Sequence, residues 1–167
     1  MYAITKGGYE MSETSKIYKV VSNNKKAYHD YFIEDKIEAG ISLIGTEVKA
    51  VKLGNINLKD SYADFKDGSV FLKGVHISPY EKGNIFNRDP LRDRRLLLHK
   101  KEILKLKQKV QKDGMTIVPL SAYITDNGLV KIELGLAKGK KLYDKRDTLA
   151  QRDSQRRAEQ YAKGLDR

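Results

Sequence analysis

The sequence predicts a mainly β protein, a small antiparallel barrel with flanking helices and a basic tail. Three observations carry that fold class. Turn dipeptides separate short runs of alternating apolar residues, a lysine-rich amphipathic segment interrupts the runs, and the apolar pattern stops after Leu136. The expected organisation is a disordered leader over 1–16, a β-barrel domain over 17–137 and a basic tail over 138–167.

In chain order, MYAITKGGYEMSETSK has no sustained period, and Met11 offers an alternative start. From Ile17 to about Leu136 the pattern is one of short strands with two helical interruptions. Asp67-Gly68 between YADF and SVFL, and Asn127-Gly128 between AYIT and LVKI, each suit a two-residue type I′ turn. In the second hairpin Val118, Leu120, Ala122 and Ile124 are expected on one side, answered by Val130, Ile132, Leu134 and Leu136. Lys131 and Glu133 point outward. Pro119 cannot donate to a ladder, which places the start of its strand at an edge.

The first interruption, TEVKAVKL between Gly45 and Gly54, reads as a short helix with Val48 and Val51 on one face and Gly54 ending it. The second runs from His99 to about Lys112, with Ile103, Leu106 and Val110 at helical spacing and Gly114 just beyond. After Leu136 the last 31 residues hold ten basic and five acidic side chains among few apolar ones. A helix starting at Asp147 would have no apolar stripe to bury, so the tail is expected to stay disordered until a partner organises it.

Charge points to the partner. Lys and Arg total 33 against 22 acidic residues, a net +11. Eleven basic and three acidic residues fall within 82–112 alone. Such a field favours a polyanion, and a basic face on a small barrel suits RNA. Arg92, Arg94 and Arg95, read as a loop, offer bidentate phosphate contacts, and Lys100, Lys101 and Lys105 supply diffuse attraction. Enzyme chemistry finds little support. Cysteine is absent, and His29, His76 and His99 lack metal-ligand spacing. Gly135-LAK-Gly139-Lys140-Lys141 fails the phosphate-loop pattern, with three residues between its glycines and no Ser or Thr after the lysine. No catalytic residue, metal or cofactor is expected, and no apolar run approaches membrane-spanning length.

Three blocks carry a specific resemblance: AYHDYFIEDKIEAGISLIGTEVKAVKLGNINLKDSYA, RDRRLLLHKKEILKL and GLAKGKKLYDKRDTLAQRD. In collinear order from about Lys25 to Arg152 the chain resembles the SsrA-binding protein family, also called small protein B. The resemblance implies an oligonucleotide-binding-like barrel and a non-enzymatic, cytoplasmic protein, monomeric when free. Its partners would be transfer-messenger RNA (SsrA RNA) and the ribosome, at the decoding centre and message channel of the small subunit. Its work would be trans-translation, in which stalled ribosomes are rescued and their nascent peptides tagged. The rival reading is a general ribosome-associated or structured-RNA-binding protein on the same barrel. By position, the resemblance assigns RNA contact to Glu38, Leu97 and His99, where relatives often carry Asn. It gives Lys138, Lys140, Lys141, Asp144, Lys145 and Arg146 as ribosome-facing residues, with Tyr143 placed to stack on bases. Arg152 belongs to the same tail. Leu149 and Tyr161-Ala162 are the nearest counterparts of the family's aromatic and apolar positions near the tip.

Overall fold

The computed structural model describes residues 17–165, with 142–147 and Leu165 described by backbone alone. The expected leader, 1–16, lies outside the described residues. The chain runs β1 (Ile17–Asn23), α1 (Lys25–Asp30), β2 (Tyr31–Ile41), α2 (Gly45–Lys52), β3 (Ile56–Asn57), β4 (Tyr62–Lys66) and β5 (Ser69–Lys73). It continues with β6 (His76–Ile77), β7 (Arg94–Leu97), α3 (Lys100–Asp113), β8 (Thr116–Thr125), β9 (Val130–Gly139) and α4 (Lys140–Leu165).

Seven strands form one antiparallel sheet in the order β1-β8-β4-β5-β7-β2-β9, and a further β8–β9 pairing closes six of them into a ring. Closure is loose, because β4 meets β8 at the single register pair Ala63–Ile117. Val70, Leu72, Leu96, Ile132 and Leu134 fill the barrel. Ala50 and Val51 of α2 and Leu106 of α3 close over it, with Ile103 and Val110 half-buried beside Leu106. α3 therefore docks by the apolar face its spacing predicts and turns its lysines to solvent. Gly114, at φ 61°, ends it in the left-handed conformation that glycine adopts without strain.

Five local expectations change. The Asp67-Gly68 turn has both central residues at positive φ, as type I′ demands, but at the second hairpin Gly128 alone does. There Gly128 N–H donates to Thr125 O, and Thr125 N–H to Leu129 O, at 2.9 Å each. That arrangement is a type I turn followed by a left-handed glycine, which adds a residue to the loop. Pro119 is not at the start of an edge strand but the fourth residue of β8, which pairs with both β9 and β1. It sits beside an irregularity between Pro119 and Ser121 of the kind that tolerates a missing N–H. The irregularity also turns the strand over. Ile117, Ala122 and Ile124 join the main core, whereas Val118 and Leu120 pack with Ala27 and Ala137 in a second cluster.

A third helix, α1, interrupts the strands ahead of the two expected. Asn24 caps it, accepting from Ala27 N–H at 3.2 Å, and its amide donates to Leu58 O and Pro119 O at 3.1 and 2.9 Å. The tail differs as well. Its backbone is helical from Lys140, directly after β9, and Thr148 to Gly164 are all solvent-exposed. Strong helix formers such as Leu149, Ala150, Gln151, Arg152 and Ala158 dominate it, and Asp153–Arg157 and Glu159–Lys163 stand at supporting i,i+4 spacing. At 26 residues α4 is well beyond the roughly 12–15 at which an unaided helix is marginal.

Candidate nucleic-acid interface

The fold brings Glu38, Leu97 and His99 to one open groove of about 540 Å³ between β2, β7 and α3, with Arg95 and Lys131 also lining it. The β2–β7 register sets this up. Gly40 lies opposite Leu97 and Ile41 opposite Leu96, and Ser42 N–H donates to Arg95 O at 2.9 Å. Alternation along β7 then sends Arg94 and Leu96 inward and Arg95 and Leu97 outward. A Cβ at position 40 would stand 3.1 Å from Leu97 Cβ, so glycine there lets the two strands meet while Leu97 stays 54% exposed. His99 precedes α3, and its N–H donates to Glu102 Oε2 at 2.9 Å. Its ring is exposed at the positive end of the helix dipole.

Glu38 is held from two sides. Tyr123 OH donates to Oε2 and Lys131 Nζ to Oε1. Partial burial pushes its carboxyl up, but the Lys131 and Tyr123 hydrogen bonds outweigh that and leave it below the usual carboxylate range. Burial and the neighbouring carboxylate raise the Tyr123 hydroxyl, which stays a protonated donor. Both partners were missed in the sequence. Lys131 was legible as an outward residue, but nothing local ties β8, β9 and β2 into one row.

The three arginines divide, and two stand where the sequence reading did not put them. Arg94 and Arg95 belong to β7, with Arg92 alone in the preceding loop. Arg94 is fully buried: its guanidinium donates to Glu47 Oε2, to Val75 O at 2.8 Å and to Pro90 O at 2.9 Å. Arg92 pairs with the other Glu47 oxygen, which also accepts from Ile44 N–H at 3.1 Å. Burial pushes the Glu47 carboxyl up, and the two arginines and the Ile44 N–H bring it below its ordinary value. An arginine whose donors are engaged inside cannot reach phosphate, so Arg94 leaves the set of surface contacts. Arg95, Lys100, Lys101 and Lys105 remain exposed, with Lys105 Nζ 3.9 Å from Asp35.

The tail residues gather elsewhere, where β2 begins and β9 ends. Lys138 pairs with Glu34 at 3.1 Å. Lys140 donates to Tyr28 O at 3.2 Å and lies 5.2 Å from the Phe32 ring centre. Lys141, Arg152 and Tyr161 are exposed. The side chains of Tyr143, Asp144, Lys145 and Arg146 lie outside the described residues. Among the described residues no group of three or more His, Asp or Glu could hold a metal ion, and no helix is long and apolar enough to cross a membrane.

Comparison with known proteins gives one pattern. The family model described as SmpB protein matches residues 21–164. An SsrA-binding protein of Acetivibrio thermocellus is 64% identical over 138 residues, covering 83% of this chain and 89% of that protein. One of Caldicellulosiruptor bescii is 61% identical over 147 residues, covering 87% and 92%. A chain of the solved structure described as "tmRNA-SmpB: a journey to the center of the bacterial ribosome" superposes with a TM-score of 0.62 at 48% identity. That match covers 72% of this chain and 84% of the other.

Proposed function

The chain belongs to the SmpB protein family, and from that premise we propose that it binds the tRNA-like domain of transfer-messenger RNA and delivers it to stalled ribosomes for trans-translation. It is an RNA-binding protein and not an enzyme, and it works in the cytoplasm with its RNA. The observation that carries the reading is the convergence of Glu38, Leu97 and His99, separated by up to 61 positions, on one groove beside Arg95 and the lysine face of α3. Phosphate attraction supplies affinity, whereas an exposed apolar side chain, an imidazole and a carboxylate supply contacts to bases and ribose.

The tail has a separate task in this proposal. Lys138, Lys140, Lys141, Lys145, Arg146 and Arg152 face ribosomal RNA, with Asp144 among them. Tyr143 stacks on a base of the decoding centre, and α4, which carries Tyr161 near its C-terminal end, lies in the message channel of the small subunit. Intact message would exclude the helix sterically, so only an empty channel admits it. The solvent exposure of Thr148 to Gly164 supports this, because an RNA partner could engage any face of that stretch.

The reading is tested by recovering the protein from its own cells at native salt and sequencing the bound RNA. One dominant structured RNA with a tRNA-like end is expected. A broad mixture would favour a general structured-RNA or ribosome-associated protein. Truncation after Leu142, assayed by filter retention and by peptide tagging in a reconstituted translation system, should leave RNA binding nearly intact and abolish tagging. Normal tagging would refute the role of the tail.

A further inference from the structure

Glu38 poses a problem that its assignment to RNA contact does not solve. A lone exposed carboxylate repels phosphate and samples several rotamers, and neither property suits recognition. The sheet supplies an answer. Tyr123 on β8 lies opposite Lys131 on β9, and Lys131 lies opposite Gly40 on β2. Glu38, two residues from Gly40, shares that face. The Tyr123 residue is 3% exposed and its hydroxyl reaches the carboxylate, so this donor is fixed by packing. Lys131, its side chain 24% exposed, meets the other oxygen. The Glu38 side chain is still 45% exposed.

We infer that Tyr123 and Lys131 are positioning residues that fix the Glu38 carboxylate as a selective acceptor for N–H or O–H donors of RNA, on a base edge or a ribose 2′-hydroxyl. A carboxylate has about four lone-pair sites, and one donor on each oxygen leaves about two directed at a ligand. Lys131 cancels the charge locally, so the phosphates around the groove meet a neutral pair. Tyr123 adds direction without charge. The two residues therefore have separable effects: the hydroxyl governs discrimination, and the ammonium governs tolerance of any RNA. Nearby charges are arranged around this pair and do not replace it. Glu133 accepts from Lys36 at 3.1 Å, Glu102 caps α3, and Arg95 and His99 line the groove beyond Leu97.

The inference rests on the transfer-messenger RNA reading, and one experiment separates the two. Full-length wild type, Tyr123→Phe, Glu38→Gln, their double variant, Lys131→Met and Lys131→Arg are titrated by filter retention against the tRNA-like domain and against bulk tRNA at fixed salt, with thermal unfolding measured alongside. Tyr123→Phe should weaken cognate binding about fivefold to tenfold, the scale of one net hydrogen bond, with bulk tRNA little changed. The double variant should be no worse than Glu38→Gln alone, since the hydroxyl acts through the carboxylate. Lys131→Met should weaken binding to both RNAs, and Lys131→Arg should restore it. Wild-type discrimination retained in Tyr123→Phe, or additive losses in the double variant, would overturn the positioning role. If Tyr123→Phe does not fold, equal binding by Lys131→Met and wild type overturns it instead. A wild type that does not discriminate between the RNAs contradicts the functional reading itself.

Discussion

Two glutamates in this protein are each held by a cation and a second donor set, and their surroundings send them to opposite ends of the molecule's economy of charge. Glu47 sits on α2 at 5% exposure, with Arg92 and Arg94 closing on its oxygens and the Ile44 N–H completing the shell. Glu38 sits on β2 with Lys131 and Tyr123 on its oxygens and the remaining side facing an open groove. The inner cluster pins α2 to β7 and, through Val75 O and Pro90 O, to the segment between β5 and β7. The outer cluster pins one side chain and leaves its acceptors available. Burial makes the first pair scaffold, because uncompensated charge inside is costly. Exposure leaves the second pair little to contribute to stability and free to meet a ligand.

The contrast is broken most severely from inside. Arg94→Met should lower unfolding stability by about 3–5 kcal/mol, because it removes the buried cation from one oxygen of the Glu47 carboxylate and leaves only Arg92 and the Ile44 N–H on the other. Thermal and urea unfolding measure this, and a change below about 1 kcal/mol would mean that the cluster is not scaffold. Glu47→Gln should destabilise in a pH-dependent way. The folded-state pKa of Glu47 is depressed, so its ionised form contributes stability above the unfolded-state pKa and loses it as pH falls through the lower folded value. The gap between wild type and Glu47→Gln should therefore be widest near neutral pH and narrow in acid below the ordinary carboxylate range. A gap constant from pH 7 to pH 3 would contradict the assignment.

Changes to the outer cluster should leave the fold alone. Glu38→Ala should unfold within about 1 kcal/mol of wild type, as surface changes do, while losing discrimination between transfer-messenger RNA and bulk tRNA. Equal loss of both RNAs would remove its selective role. The smallest effect is expected at Lys105, exposed on α3. Lys105→Ala should weaken all RNAs alike and reduce the salt slope of log K by about 1. A specific loss of the cognate RNA there would move recognition from the groove to the helix.

What was legible in the sequence follows the same division. The Asp67-Gly68 hairpin, the apolar face of α3 and its Gly114 stop are dictated by neighbours a few residues away, and they stand where the pattern puts them. The fate of RDRR was not legible, because inward and outward arginines differ only through the pairing of β7 with β2 and β5. Glu47, 47 positions before Arg94, carries no local mark of being its partner. The turn at Asn127-Gly128 misled for a related reason. The dipeptide suits two loop types, and the one adopted follows from Thr125, whose backbone and Oγ1 take the loop's hydrogen bonds. The family motifs mark Glu38, Leu97 and His99 one by one as expected RNA contacts, and the fold brings them to one groove and sets Tyr123 and Lys131 in hydrogen bonds to Glu38.

Hydrogen exchange on the full-length protein, with and without the tRNA-like domain of transfer-messenger RNA, reads both regions at once. Exchange slows where backbone opening is suppressed, so a bound RNA marks the segments it holds. Added protection should fall on residues 37–40 of β2 and 95–103 across β7 and the start of α3. Residues 47–52 of α2, already closed around Glu47, should exchange alike in both states. Protection confined to α2 and the loop before β7, with the groove unchanged, would contradict the claim that the open cluster reads RNA while the buried one only holds the fold.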